Sequence, residues 1–200
     1  MIYYHGTSYE AAINIIKNGF NSPDTIWSCS DDCNTYIIHD KYFDDTDYDE
    51  YEAVEFAISA ARISAAYTNS KSDHIAIIIF DIPEDIAESY VLQDSSCENM
   101  PDCYQIDSDD LNDLMDKDKI AVQVRIFENS YNQWLRPFYL AGLNKNYMCI
   151  KDPALNAAVE IIETSNNIDY LYDVLYENCR ISDMTLYTCL TTKQVRELES

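Results

Sequence analysis

An α+β fold is what this sequence predicts, on three observations. Ile75 to Ile82 is a continuously apolar, β-branched run halted by Pro83, the mark of a strand at the centre of a sheet covered on both faces. Ile2 to Gly19 reads as a short strand opening directly onto a helix. From Asp152 onward, capping signals and helical spacing dominate. The expected organisation is a sheet-containing core over residues 1–150 and a helical C-terminal extension, 151–200, packed on it.

Each element follows from local chemistry. After the strand Ile2-Tyr3-Tyr4-His5-Gly6-Thr7, Thr7 suits an N-cap with Glu10 three residues on, a capping box. Ala11, Ala12, Ile15 and Ile16 make an apolar stripe at helical spacing, and Gly19 stops the helix. Thr25 to Ser30 reads as a strand. Asp31 and Asp32 then predict a helix through Tyr36, Ile37 and Ile38, because acidic residues favour a helix N-terminus. Asp44 to Glu52 is acidic and expected as an exposed loop. Ala53 to Tyr67 is apolar almost all round and predicts a buried helix. Beyond the central strand, Tyr90 to Gln93 and Cys103 to Ile106 are weaker strands, followed by an acidic segment, Asp107 to Asp118. Ile120 to Phe127 alternates as a strand does. Asp152 and Pro153 open a helix to about Thr164, Ile168 to Tyr176 forms another, and Met184 to Leu190 a final strand. Thr191 with Gln194 caps a last short helix.

Composition narrows the function. The chain has 200 residues with 36 acidic against 13 basic, a net charge of −23. So negative a surface repels phosphate backbones and anionic lipid heads and attracts basic proteins. The charge serves solubility or, on a sharper reading, mimics a nucleic acid toward a protein that binds one. The N-terminus lacks a signal-peptide pattern, and no apolar run approaches the length that spans a bilayer. The seven cysteines are scattered and odd in number, as expected of reduced thiols in a cytoplasmic protein. Three glycines in the whole chain exclude a P-loop and a Rossmann turn.

Metal sites find little support. Asp45, Asp47 and Asp49 alternate as calcium ligands do, but the glycine and glutamate of an EF-hand loop are missing. Cys29, Cys33 and His39, with Cys97 and Cys103, lack the closely paired cysteines of structural zinc. Trp134, Arg136, Phe138 and Tyr139 form an aromatic-basic cluster that suits packing more than recognition.

Candidate site residues begin with the Tyr-His-Gly-Thr strand end. A glycine beside a histidine leaves open backbone next to a ring that donates and accepts hydrogen bonds, which suits a small polar ligand. This opening resembles ADP-ribosyltransferases of the poly(ADP-ribose) polymerase type, in a small bacterial or phage form. The likeness covers about residues 1–106. It implies a split β-sheet core with NAD, the substrate, in a cleft between two small sheets. His5 would bond the adenosine ribose and the backbone of Gly6 the nicotinamide amide, with Thr7 beside them. Ile26-Trp27-Ser28-Cys29-Ser30 followed by Asp31-Asp32-Cys33-Asn34-Thr35-Tyr36 resembles the family's second motif. By that resemblance Tyr36 stacks on the nicotinamide ring and Ser28 joins the cofactor-binding set; Cys33 stands where serine is usual.

Cleaving nicotinamide from ribose passes through a cation-like sugar, so a carboxylate holding a ribose hydroxyl contributes most at the transition state. The matching region is Gln93 to Ile106, with Asp102 first and Glu98 second. Small members of the family that the chain resembles place the acid just before an aromatic in a strand, as Asp102 stands here, although an aspartate departs from the usual glutamate. With His5, Asp102 and Glu98 make up the catalytic set. The activity implied is mono-ADP-ribosylation of a basic, nucleic-acid-handling protein by an effector or counter-defence protein in the bacterial cytoplasm. Two other readings stand beside it: an acidic nucleic-acid mimic that inhibits a basic partner, and a fold that binds NAD or ADP-ribose without transfer.

Overall fold

The structure, a computed structural model, describes residues 1–20, 34–39, 50–68, 70–93, 103–129 and 186–198. In chain order these form β1 (Ile2–Ser8), α1 (Tyr9–Asn18), β2 (Asn34–His39), α2 (Glu50–Tyr67), β3 (His74–Asp81) and α3 (Glu84–Tyr90). There follow β4 (Leu92–Gln93), β5 (Cys103–Asp107), α4 (Ser108–Asp116), β6 (Ala121–Glu128), β7 (Leu186–Thr191) and α5 (Thr192–Glu197). The strands join in one antiparallel sheet, ordered β4-β5-β2-β1-β3-β6-β7. Helices and antiparallel strands together make the fold α+β, as expected.

The apolar run of β3 explains the layering. Side chains alternate across a strand, so a continuous run needs cover on both faces. Ala76, Ile78 and Phe80 pack with Ala12, Ile15 and Ile16 of α1, Leu111, Leu114 and Met115 of α4, and Val195 of α5. Ile75, Ile77 and Ile79 pack on the other face against Ala53, Val54, Ala57, Ile58, Ala61 and Ala65 of α2. Each fully buried isoleucine contributes about 1.5–3 kcal/mol relative to an exposed one, so β3 with its two helix layers holds the core together.

Several expectations are corrected. The segment read as a helix from Asp31 to Ile38 is strand from Asn34 to His39. Its neighbours decide this: Tyr36, Ile37 and Ile38 have strand-favouring side chains, and β5 pairs with five consecutive residues from Asn34 to Ile38. The acidic segment after β5 is a helix, α4. Asp107 caps it, its Oδ1 accepting from the N–H of Asp109 at 2.9 Å and of Asp110 at 3.2 Å, and Leu111, Leu114 and Met115 line its buried face. On the outer side of α4, the Asp113 carboxylate accepts a hydrogen bond from Lys117 and holds that ammonium above the ordinary lysine range. Tyr90 ends α3 rather than starting a strand.

At the N-terminus, Ser8 caps α1 in place of Thr7, its hydroxyl accepting from the N–H of Ala11 at 3.3 Å. Glu10 does not close a capping box; its carboxylate accepts from the Ser70 hydroxyl and the Ser72 N–H instead. Gly19 ends the helix as expected, with φ 83°, a conformation that glycine adopts without strain. At the other end, the capping box of Thr191 with Gln194 is present. β7 pairs with β6, so residues 186–191 belong to the same sheet as the N-terminus. The strand expected at Thr25 to Ser30 and the helices expected between Asp152 and Tyr176 lie outside the described residues, as does the acidic loop from Asp44 to Asp49; the last residues of that expected loop, Glu50 to Glu52, instead begin α2.

Candidate functional site

β1 has two unlike edges. Toward β3 it pairs at every residue from Ile2, opposite Asp81, to Ser8, opposite Ile75. Toward β2 it pairs at Tyr3, opposite His39, and at Tyr4, opposite Ile38. Continued, that register would set His5 beside Ile37 and Gly6 beside Tyr36. Among the described residues the ladder ends at Tyr4, while β2 stays with β5 as far as Asn34, opposite Asp107. The two strands therefore part where the sequence reads His-Gly-Thr on one side and Tyr36 on the other.

Gly6 has a structural duty there. A Cβ at this position would lie 1.7 Å from the Ala57 carbonyl oxygen and 2.9 Å from the Ala61 nitrogen, both on α2. Only a residue without a side chain lets α2 cross β1 this closely. The glycine of the motif is thus accounted for by helix packing, and its N–H and C=O are what it could offer a ligand.

His5 is buried, 5% exposed, and the ring of Phe20 meets it edge-on with centroids 5.3 Å apart. Phe20 is itself fixed. Its N–H donates to Asn112 Oδ1 at 2.7 Å, and its carbonyl accepts from Asn112 Nδ2 at 3.0 Å. One α4 side chain thereby clamps the backbone that holds a ring over the histidine. Thr7 is also buried, its hydroxyl 3.2 Å from the Ser64 hydroxyl of α2, and Ser64 Oγ accepts from the N–H of Ser8 at 3.2 Å. Thr7, Ser8 and Ser64 form a buried polar group within an apolar core, held by hydrogen bonds as buried polar groups must be.

The structure brings His5, Gly6 and Thr7 together on one strand and puts Tyr36 on the strand that leaves it. Ser28, Glu98 and Asp102 lie outside the described residues, so the candidate carboxylates stand without a position. Cys103, which follows Asp102, pairs with Ile38; the β5 residue level with Tyr36 is Gln105. Sequence reading missed Gln105, Ser64 and the Phe20–Asn112 clamp. Polar Gln105 in a strand was a visible signal; the other contacts join residues more than fifty positions apart and leave no local trace.

Among the described residues no group of three or more His, Cys, Asp or Glu is disposed to hold a metal ion, and no helix is long and apolar enough to cross a membrane. Cys189 on β7 is an exposed free thiol. Comparison with protein-family models, curated proteins and solved structures finds no match.

Proposed function

We infer that this chain is a mono-ADP-ribosyltransferase that takes NAD as substrate and modifies a basic, nucleic-acid-handling protein. The observation that carries the reading is the parting of β1 and β2 at His5-Gly6-Thr7, level with Tyr36. The sheet is one continuous seven-stranded sheet and not the two small sheets expected, with β1 and β2 paired at Tyr3 and Tyr4; the opening beyond Tyr4 supports a cleft at that place. A flat amide heterocycle entering there meets strand N–H and C=O groups at Gly6 and an aromatic residue on β2, the two kinds of contact that a nicotinamide ring uses. His5 is assigned to the adenosine ribose, and Asp102, with Glu98 second, to the carboxylate that stabilises the cation-like ribose. Thr7 and Ser28 complete the cofactor-binding set. The role assigned is that of a bacterial or phage effector or counter-defence protein.

The net charge of −23 favours a second reading, an acidic mimic that binds a basic partner without chemistry. One experiment separates the two. Purified protein is incubated with labelled NAD and a bacterial lysate, beside Tyr36→Ala checked for an unchanged unfolding transition. Nicotinamide release and transfer of label to a discrete protein, both lost in Tyr36→Ala, are the expected result. Absence of turnover with the wild-type protein overturns the transferase reading and leaves the mimic.

A further inference from the structure

A second cluster lies at the opposite end of β3 from α3, on the outer part of the sheet. The ring of His74, the first residue of β3, is flanked by Tyr187 of β7 at 4.4 Å and Tyr9 of α1 at 6.0 Å, centroid to centroid. Tyr187 reaches it by an irregularity. Thr188 pairs with Ile126 and Leu186 with Phe127, so Tyr187 is an extra residue, a bulge on an edge strand, and bulges re-aim side chains. Although held against His74, Tyr187 stays 61% exposed and presents a ring to water.

The neighbouring turn is built around a carboxylate. Glu10, next to Tyr9, accepts at Oε2 from the Ser70 hydroxyl at 2.6 Å and at Oε1 from the Ser72 N–H at 3.2 Å. Ser72 Oγ in turn accepts from the His74 N–H at 3.1 Å, tying the carboxylate to the ring cluster. Glu10 remains exposed, so its charge is positioned without being shielded.

An exposed aromatic ring, linked through His74 and Ser72 to a carboxylate fixed by two hydrogen bonds, supplies the two things a guanidinium group uses: a face to stack on and an anion to bond. We propose that Tyr187, backed by His74 and Tyr9, and Glu10 form a seat for an arginine side chain of a basic protein partner. The inference rests on the basic-partner part of the functional reading and is independent of NAD chemistry. The chain's net charge of −23 supplies long-range attraction, and this cluster supplies a place where it becomes a specific contact.

The test is calorimetric titration of a capped (Arg-Gly)4 peptide into the full chain at low ionic strength, where surface charges are least screened. Tyr187→Ala, which leaves the net charge unaltered, is expected to weaken binding about 2–5-fold, the span of an exposed cation–π contact. Glu10→Gln is expected to weaken it more than Glu88→Gln, a change of equal charge on α3. In the wild-type protein the His74 ring proton resonances shift as peptide is added. Equal affinity of Tyr187→Ala and wild type, or equal losses in Glu10→Gln and Glu88→Gln, overturns the seat. A wild-type protein that never consumes NAD overturns the transferase reading and leaves this titration untouched, so the two failures are distinguishable.

Discussion

Along its β3 edge, β1 is paired at seven consecutive residues; along its β2 edge it is paired at two. The first edge belongs to a ladder whose partner is buried on both faces by apolar side chains. The second opens at a histidine, a glycine and a threonine. The contrast within one strand separates a fully paired edge from the edge to which the proposed function assigns NAD. Substitutions on the β3 side should act on stability, and those on the β2 side on the ligand.

The largest effect is expected where the well-paired edge is cut. Ile78 lies opposite His5 on β3 and is fully buried. Ile78→Ala should cost about 2–5 kcal/mol in urea unfolding, because the cavity between sheet and helices does not collapse. A loss under about 1 kcal/mol would mean that this edge is not the anchor described here.

Gly6→Ala comes next. Its new methyl meets the Ala57 carbonyl, so α2 must move, and overpacking of this kind costs about 1–3 kcal/mol. A neutral result, read by the same unfolding transition, would show that α2 does not approach β1 as described. Tyr36→Ala sharpens the comparison from the other side. It is expected to reduce NAD affinity about tenfold, the scale of one lost aromatic stacking contact, with the cooperative unfolding transition retained.

Asn112→Ala gives the smallest change. Losing two hydrogen bonds to the Phe20 backbone should destabilise the protein by about 1 kcal/mol. The Phe20 ring should also become mobile over His5, visible as broadening of the His5 ring resonances. Sharp, unshifted His5 signals in Asn112→Ala would remove the clamp from the account.

How much of this the sequence disclosed depends on how local each cause is. β3 was legible because eight consecutive residues carry its signal, and α5 because a capping box is written in four. β2 was misread since Asp31 and Asp32 imitate a helix start, whereas the deciding influence is pairing with β5, nearly seventy residues away. α4 was hidden by its charge: its acidic residues mask the spacing of Leu111, Leu114 and Met115. Thr7 and Ser8 both carry hydroxyls at the start of α1. Only Ser64, on a distant helix, shows why Thr7 turns away and Ser8 takes the cap.

In the candidate site, the strand-to-helix junction around His5 could be read directly. The parting of β1 from β2 could not, because register belongs to two strands and not to either sequence. The reason for glycine at position 6 was likewise invisible without α2 lying across it.

The measurement that tests the central claim most directly is a two-dimensional amide spectrum of labelled protein recorded with increasing NAD. The account predicts shifts at the amides of His5, Gly6, Thr7 and Tyr36, with Ile77 to Phe80 unmoved by comparison. A spectrum unchanged by NAD, or shifts confined to residues away from the parting of β1 and β2, would contradict it.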